Sequence, residues 1–278
     1  MNGSRNEILR IAATMTVVCA LAGAVLGGAF LATHRYREVA VRRAEQRAIL
    51  SLLQLDSSAT VLEVRQYLAP ARSEVVYRAA PYGEPPEREV VFALDGRLIA
   101  AGAATVPQGP HAERGLLPLG RVFVATRSGA AAGFVIEGES RGYKNRIRFF
   151  VGLSPAFEIA GVRVLEHEED PGLGAEVATP VFQGQFLGRA AASLVSLTVT
   201  RDPMPEDWRA ALATIARTPV ARWRERHAAL LARERTRPVY AVTGATISSR
   251  ALTEGVRETV DHFQRRWALL GPYLGSPS

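Results

Sequence analysis

One short segment combines several hydroxyl side chains with a glycine directly before a predicted helix, and such a combination could bind a phosphate. Its residues are Thr243, Gly244, Ala245, Thr246, Ile247, Ser248 and Ser249. Free backbone N–H groups and the positive end of the helix dipole favour an anion at this position. An ordinary helix start is the alternative, with Ser248 or Ser249 as the N-cap. The segment is not a full capping box, because Ala251 and Leu252 stand where Glu or Gln would be needed.

A second candidate segment follows the predicted strand 161–165. Its residues are His167, Glu168, Glu169, Asp170, Pro171, Gly172, Leu173 and Gly174. The proline and the two glycines predict a fixed loop at a strand end, which is a common place for ligand contacts. The acidic run lacks the spacing of a calcium loop, so we predict no metal site. An exposed turn is the alternative interpretation.

The composition excludes several other kinds of site. The single Cys excludes an intramolecular disulfide and Cys-rich metal centres, and the five His include no His-x-x-x-His pair beside an acid. A net charge of +7 could indicate nucleic-acid binding. However, acidic residues are interspersed among the arginines of segment 203–237, and no aromatic platform alternates with them. We therefore predict a solvated helix face and no nucleic acid.

The N-terminal part of the chain predicts a membrane anchor. After a tail of residues 1–10, residues 11–33 carry no charge and would span roughly 35 Å as a helix. A cleaved signal peptide is the alternative, but its apolar core is usually only ~7–15 residues long. Residues 34–55 predict a juxtamembrane amphipathic helix along the lipid headgroups. The arginines that follow the span, taken by the positive-inside rule, would place the rest of the chain in the cytoplasm.

The remaining sequence predicts a soluble α+β region. Its N-terminal part, 56–139, contains short strand patterns at 74–78, 89–94, 98–101, 121–126 and 133–137, with loops at 81–86 and 107–110. The second part, 140–270, contains a hairpin, a further strand, one or two amphipathic helices within 203–237 that break near Pro219, and a C-terminal helix. The hairpin strands are 147–153 and 159–165, the further strand is 194–199, and the buried stripe of the last helix is Leu252, Val256, Val260, Phe263 and Trp267.

Together the two segments resemble a known family. The pattern His-x-Glu-x-Pro-Gly-Leu-Gly at 167–174, followed by Thr-Gly-Ala-Thr-x-Ser-Ser-Arg at 243–250, is similar to the FMN-binding domain of the G subunit of the Rnf electron-transport complex. It also resembles the C subunit of the sodium-pumping NADH:quinone reductase. Gly142 and Tyr143 fit the same family, and the segment 162–167 favours the Rnf type. The resemblance covers roughly residues 140–200 and 240–262, while the region before them agrees in layout only.

The resemblance implies a cofactor and a site. It implies that a flavin transferase joins FMN through its phosphate to Thr246. The residues implied around the phosphate are Thr243, Gly244, Ala245, Ser248 and Ser249, and those implied near the flavin are Glu169, Pro171, Gly172, Leu173 and Gly174. No catalytic residue of the chain's own is expected, because the cofactor carries the redox chemistry.

The resemblance also implies a role and a location. The chain would relay electrons as an anchored subunit of an ion-translocating complex, with the other subunits, the transferase and the lipid bilayer as partners. Its flavin domain would lie on the periplasmic side of the inner membrane, contrary to the charge count. The segment 203–237 is predicted to be an insertion that contacts a partner subunit.

Two residues depart from the family pattern. Tyr240 stands where the family usually has Asp, and Asp170 stands where it usually has Thr. An Asp170 carboxylate that pointed towards the flavin would lower its potential by Coulomb repulsion. The alternative function is a flavin-free anchored ectodomain with a structural or regulatory role, and Tyr240 is the observation that favours it.

Overall fold

The computed structural model describes residues 2–104 and 115–274, and the chain divides into two units, Met1–Arg47 and Ala48–Ser278. The loop expected at 107–110 lies outside the described residues. The first helix, α1, runs from Asn2 to Leu52. By length and composition, its stretch Arg10–Phe30 could cross a membrane.

The expectation of an N-terminal tail and of a separate amphipathic helix after the span differs from this structure. Helix α1 includes nearly all of residues 1–10 and continues without a break through most of 34–55. The reason is compositional, because residues 34–52 contain no Gly or Pro and are rich in Ala, Arg, Glu and Leu, which favour the helix.

Eight strands of the described residues form one antiparallel sheet, in the order β4-β3-β2-β1-β5-β6-β7-β8. The strands are β1 (Thr60–Ala69), β2 (Glu74–Pro81), β3 (Arg88–Ala93), β4 (Leu98–Ala103), β5 (Leu117–Arg127), β6 (Ala130–Arg141), β7 (Arg146–Leu153) and β8 (Ile159–Glu166). The α+β class and the antiparallel hairpin β7–β8 are confirmed. The sequence pattern missed β1, because its buried Glu63 and Gln66 interrupt the apolar alternation.

The strand predicted at 194–199 is wrong. Residues Ala191–Ser196 form 3-10 turns, and only Val199–Thr200 (β9) is extended, in parallel with Val239–Tyr240 (β10). Leu194 and Leu197 are both buried while Val195 is exposed. A burial spacing of three residues belongs to a 3-10 turn, whereas a strand requires a spacing of two.

Short helices fill the chain between β8 and the last helix. They are α2 (Pro180–Gln183), α3 (Glu206–Leu212), α4 (Val220–Arg226) and α5 (Ala228–Glu234). The segment 203–237 therefore holds three helices rather than one or two, and one of its breaks falls at Pro219, directly before α4. Trp208 and Trp223 are fully buried inside this segment and lie 5.9 Å apart between ring centroids.

The last helix, α6 (Thr246–Leu274), packs along the sheet through the apolar stripe that the sequence predicted. The Phe134 ring of β6 lies 5.2 Å from that of Phe263 and 4.7 Å from that of Trp267. These contacts fix α6 against the sheet and so fix the position of its first turn.

Candidate functional site

The hydroxyl-rich segment forms a tight turn between β10 and α6. Gly244 adopts a φ of 78°, a left-handed conformation that favours glycine, and the amide of Ala245 donates to the carbonyl of Val242 over 3.0 Å. Thr246 is the first residue of α6 and is half-buried. The first N–H groups of a helix have no partner within it, so this turn presents donors to any group beside Thr246.

The two serines do not act as N-caps, and this corrects the expectation for Ser248 and Ser249. Both lie inside the first turn of α6 and are fully buried. The Ser249 hydroxyl accepts from the amide of Val242 at 3.0 Å and donates to the carbonyl of Ala245 at 2.9 Å. Ser249 therefore stabilises the turn by linking Val242 to Ala245. The Ser248 hydroxyl instead donates to the carboxylate of Glu169.

Glu169 joins the two candidate segments, although they are far apart in sequence. Its side chain is only 5% exposed. Besides the Ser248 hydroxyl, it accepts from the backbone amides of Tyr143 at 3.2 Å and Lys144 at 3.0 Å. One carboxylate thus ties together the turn before β7, the loop after β8 and the start of α6.

The hydrogen bonds also set the charge of this carboxyl group. Burial acts to raise the pKa of Glu169, but the donors of Ser248, Lys144 and Tyr143 favour the ionised form and outweigh it. The pKa of Glu169 is therefore lowered, and the group is an anion at neutral pH.

The second segment forms the fixed loop that its proline and glycines predicted. The amides of Leu173 and Ala175 both donate to the carbonyl of Asp170, at 3.1 and 3.0 Å. Pro171 and Gly172 shape this turn, while Leu173 extends towards Gly244. The Asp170 carboxylate forms an ion pair with Lys144, so its charge is balanced by a neighbour.

The two segments line one cavity of about 410 Å³. Its walls include Glu169, Leu173, Gly174, Gly244, Ala245, Thr246 and Ser248, all of which the sequence singled out. Tyr143, Leu173 and Ile247 contribute large side chains that are 64%, 46% and 58% exposed. Exposed apolar groups clustered around a cavity of this size are typical of a small-molecule site.

Thr246 also borders two further cavities. The larger, of about 700 Å³, is lined by Thr243, Gly244, Tyr240, Phe182 and Met204 among others. The smaller, of about 210 Å³, is lined by Thr246 with Arg141, Arg201, Arg250 and Glu254. Sequence reasoning missed Arg141 and Arg201, because they come from segments that only the fold brings together. Arg250 ends the motif at 243–250, but the sequence assigned it no role. The three arginines share one feature in the sequence: each lies at or near the end of a secondary-structure element or within a candidate segment.

Tyr240, which stands where the family usually has Asp, is buried in the packed interior. Its backbone N–H donates to Gln185 Oε1 at 2.8 Å, and its carbonyl accepts from Gln185 Nε2 at 3.1 Å. Its hydroxyl donates to Glu234 Oε2 at 3.0 Å. The ring therefore links β10 to the end of α5.

A methyl group on Gly174 is expected to disturb the hydrogen bond between Glu169 and Ser248, which is the joint between the two segments. A Cβ there would lie 2.6 Å from Glu169 Oε2 and 2.8 Å from Ser248 Oγ. We expect Gly174→Ala to lower the free energy of unfolding by about 2 kcal/mol, measured by urea denaturation of the detergent-solubilised chain. Gly102→Ala is the matched control, because a Cβ at Gly102 meets nothing within 4 Å. Equal stability of the two variants would contradict this account of the joint.

Comparison with known proteins shows what the C-terminal half of the chain is similar to. Residues 142–261 match the model of the FMN-binding domain family. The G subunit of the proton-translocating ferredoxin:NAD(+) oxidoreductase complex of Clostridium ljungdahlii is 28% identical over 139 residues, which are 50% of this chain and 57% of that protein. The G subunit of the ion-translocating oxidoreductase complex of Methanosarcina acetivorans is 31% identical over 136 residues, 49% of this chain and 53% of that protein.

Two further comparisons cover more of the chain. The G subunit of the Na(+)-translocating ferredoxin:NAD(+) oxidoreductase complex of Acetobacterium woodii is 26% identical over 195 residues, 70% of this chain and 72% of that protein. The crystal structure of NqrC from Shewanella oneidensis is similar with a TM-score of 0.46 and 15% identity, over 81% of this chain and 98% of that one. The matched region spans little more than half the length of the first two relatives. Residues 142–261 thus match the FMN-binding domain family, and the chain is similar to the G subunits of ion-translocating oxidoreductase complexes.

Proposed function

We propose that this chain is a membrane-anchored flavoprotein subunit that carries FMN, joined covalently through its phosphate to Thr246, and relays electrons within an ion-translocating complex. One observation carries the proposal: the half-buried Thr246 begins α6 and lies in the wall of the cavity that both candidate segments line. The family of residues 142–261 and the relatives named above support the choice of FMN and of a redox complex.

The residues fit the phosphate end of FMN. The Thr246 oxygen would form the ester bond to the FMN phosphorus, while the phosphoanhydride bond of a flavin dinucleotide donor breaks. The nucleoside monophosphate that is released would take up the hydroxyl proton. The free amides at the start of α6 would receive the negative charge of the resulting diester. Thr243, Gly244 and Ala245 form the turn beside this position, and Gly244 lets the backbone approach the ligand closely.

The residues also fit the ring system of FMN. The cavity of about 410 Å³ has a suitable size, and Tyr143, Leu173 and Ile247 offer it exposed apolar surface. When bound, FMN supplies the electron-transfer chemistry, and the protein holds and tunes it. Glu169 and Ser248 fix the walls of the cavity through their mutual hydrogen bond. Since Lys144 pairs with Asp170, we expect Asp170 to lower the flavin potential less than an unpaired carboxylate would.

We further propose that α1 anchors the chain in the inner membrane and that the flavin domain lies on the periplasmic side. Helix α1 has 51 residues and is about 75 Å long, whereas a bilayer core is about 30 Å thick. Its arginine-rich C-terminal part can therefore continue beyond the hydrocarbon region. A periplasmic transferase can modify Thr246 only if the domain is on that side of the membrane.

Co-expression with a periplasmic flavin transferase tests the proposal. The full chain is denatured and examined by gel electrophoresis for flavin fluorescence, with an inactive transferase variant as the control. We expect a fluorescent band that depends on the active transferase. A colourless chain, under conditions in which one of the related G subunits is modified, would contradict both the covalent linkage and the periplasmic placement.

The flavin-free alternative is favoured by Tyr240 and is tested at that residue. Because Tyr240 is part of the packed interior, we expect Tyr240→Asp to leave the flavin content no higher than in the parent. We also expect it to lower the free energy of unfolding by about 3 kcal/mol, since it removes a buried ring and places a carboxylate near Glu234. Fluorescence of the denatured chain and urea unfolding measure the two effects.

The conservative variant Tyr240→Phe is the control, because it removes only the hydroxyl. We expect it to cost about 1 kcal/mol and to leave the flavin content unchanged. A colourless parent combined with a fluorescent Tyr240→Asp variant would instead support the flavin-free function.

A further inference from the structure

We infer that Arg141, Arg201 and Arg250 form an anion subsite that holds the flavin phosphate beside Thr246, an inference that rests on the function proposed above. Arg141 is the last residue of β6, Arg201 directly follows β9, and Arg250 lies near the start of α6. The fold brings these three segments to the small cavity of about 210 Å³ that Thr246 also lines.

The charges in this cavity are not balanced. Among the residues that line it, three guanidinium groups face a single carboxylate, that of Glu254. The described part of the chain provides no ion pair or side-chain hydrogen bond for any of the three arginines. Three guanidinium groups at one cavity, with a single carboxylate among its lining residues, give a local excess of positive charge that favours an anion.

Nearby cations differ from these three. Lys144 pairs with Asp170, Arg146 lies 3.7 Å from Glu139, and Arg209 pairs with Glu206. Other described arginines, such as Arg217, Arg222 and Arg226, also lack an ion pair, so the unpaired state alone does not distinguish the three. What distinguishes Arg141, Arg201 and Arg250 is that they line one cavity together with Thr246.

The volume of the cavity limits which part of the flavin can bind there. A volume of about 210 Å³ lies below the range of about 300–1,000 Å³ that is typical of whole-ligand pockets, but it can hold a phosphate group. The planar fork of arginine matches phosphate oxygens, and the start of α6 adds backbone donors. The ring system would then occupy the cavity of about 410 Å³, which Thr246 also lines. Arg201 also lines the cavity of about 700 Å³, so we expect its loss to have the largest effect.

The test compares three probes on the full chain in detergent: FMN, riboflavin and inorganic phosphate. Thr246→Ala serves as the background, so that no covalent attachment occurs. Flavin binding is followed by quenching of flavin fluorescence, and phosphate binding is followed by ³¹P line broadening. We expect Arg201→Gln to weaken FMN binding about tenfold, with smaller losses for Arg141→Gln and Arg250→Gln. Riboflavin, which lacks the phosphate, is expected to bind all variants equally.

Three controls separate a phosphate role from a structural one. Arg201→Lys is expected to recover part of the FMN affinity, because it keeps the charge but loses the fork. Arg146→Gln, which changes a paired arginine, is expected to leave all three probes unaffected. Added salt is expected to weaken binding of FMN but not of riboflavin.

The possible outcomes distinguish the inference from the proposed function. Equal loss of FMN and riboflavin in the arginine variants, or no loss of either, would overturn the anion subsite while leaving flavin binding intact. Failure of the parent background to bind either flavin would count against the proposed function. In that case, arginine-dependent binding of inorganic phosphate would still support the subsite, and its absence would overturn the subsite as well.

Discussion

Replacing Thr246 by alanine is expected to abolish covalent attachment of flavin and to leave the chain folded. The ester linkage needs the side-chain oxygen, which alanine lacks. The Thr246 hydroxyl forms no side-chain hydrogen bond within the described residues, so its removal is expected to change the free energy of unfolding by less than about 0.5 kcal/mol. Flavin fluorescence of the denatured chain should fall to background, while urea unfolding should match that of the parent.

Two variants of the same turn serve as controls. Thr246→Ser keeps a hydroxyl at the same position and is expected to retain attached flavin. Thr243→Ala removes the exposed hydroxyl of the neighbouring threonine and is also expected to retain it. Flavin that survives denaturation in Thr246→Ala, or an equal loss in Thr243→Ala, would contradict the assignment of Thr246.

Replacing Glu169 by glutamine is expected to lower the stability of the chain markedly. The buried carboxylate accepts from the Ser248 hydroxyl and from the amides of Tyr143 and Lys144. Glutamine offers one oxygen and turns an NH₂ group towards these donors, so at least one buried donor loses its partner. We expect the free energy of unfolding to fall by about 3 kcal/mol and attached flavin to decrease, since both walls of the cavity shift.

The neighbouring Glu168 provides the matched control. Its side chain is exposed and accepts one hydrogen bond from Asn145 Nδ2. Glu168→Gln is expected to change the free energy of unfolding by less than about 0.5 kcal/mol. If urea unfolding gave equal values for Glu168→Gln and Glu169→Gln, the joint at Glu169 would not be a source of stability.

The stabilisation from Glu169 should also depend on pH. Because the folded-state pKa is lowered from the usual value of 4.5, the carboxylate contributes its full stability above that value. The contribution is lost as the pH falls through the lowered, folded-state pKa. The difference in unfolding free energy between the parent and Glu169→Gln is therefore expected to be constant near neutral pH and to shrink in acid.

The features that local patterns specify were predictable from the sequence. The uncharged run 11–33 specifies an apolar helix, and the helical spacing of Leu252, Val256 and Val260 specifies the buried face of α6. The glycines of the two candidate segments indicated turns, and the structure has turns at both.

The features that depend on distant partners were not predictable. The strand β1 was missed because Glu63 is buried, which local alternation cannot foresee. Ser248 is of a residue type that favours the N-cap position. Its hydroxyl instead donates a hydrogen bond to the carboxylate of Glu169, which lies 79 positions earlier in the sequence. Arg201 likewise reaches Thr246 only through the fold, so no spacing rule relates the two.

The most direct test of the central claim is tandem mass spectrometry of the tryptic peptide that ends at Arg250. This peptide contains Thr243, Thr246, Ser248 and Ser249, and fragmentation separates the four candidate oxygens. After co-expression with the transferase, we predict an added mass of FMN less one water, carried by Thr246 alone. An unmodified peptide, or the added mass on another of these residues, would contradict the account.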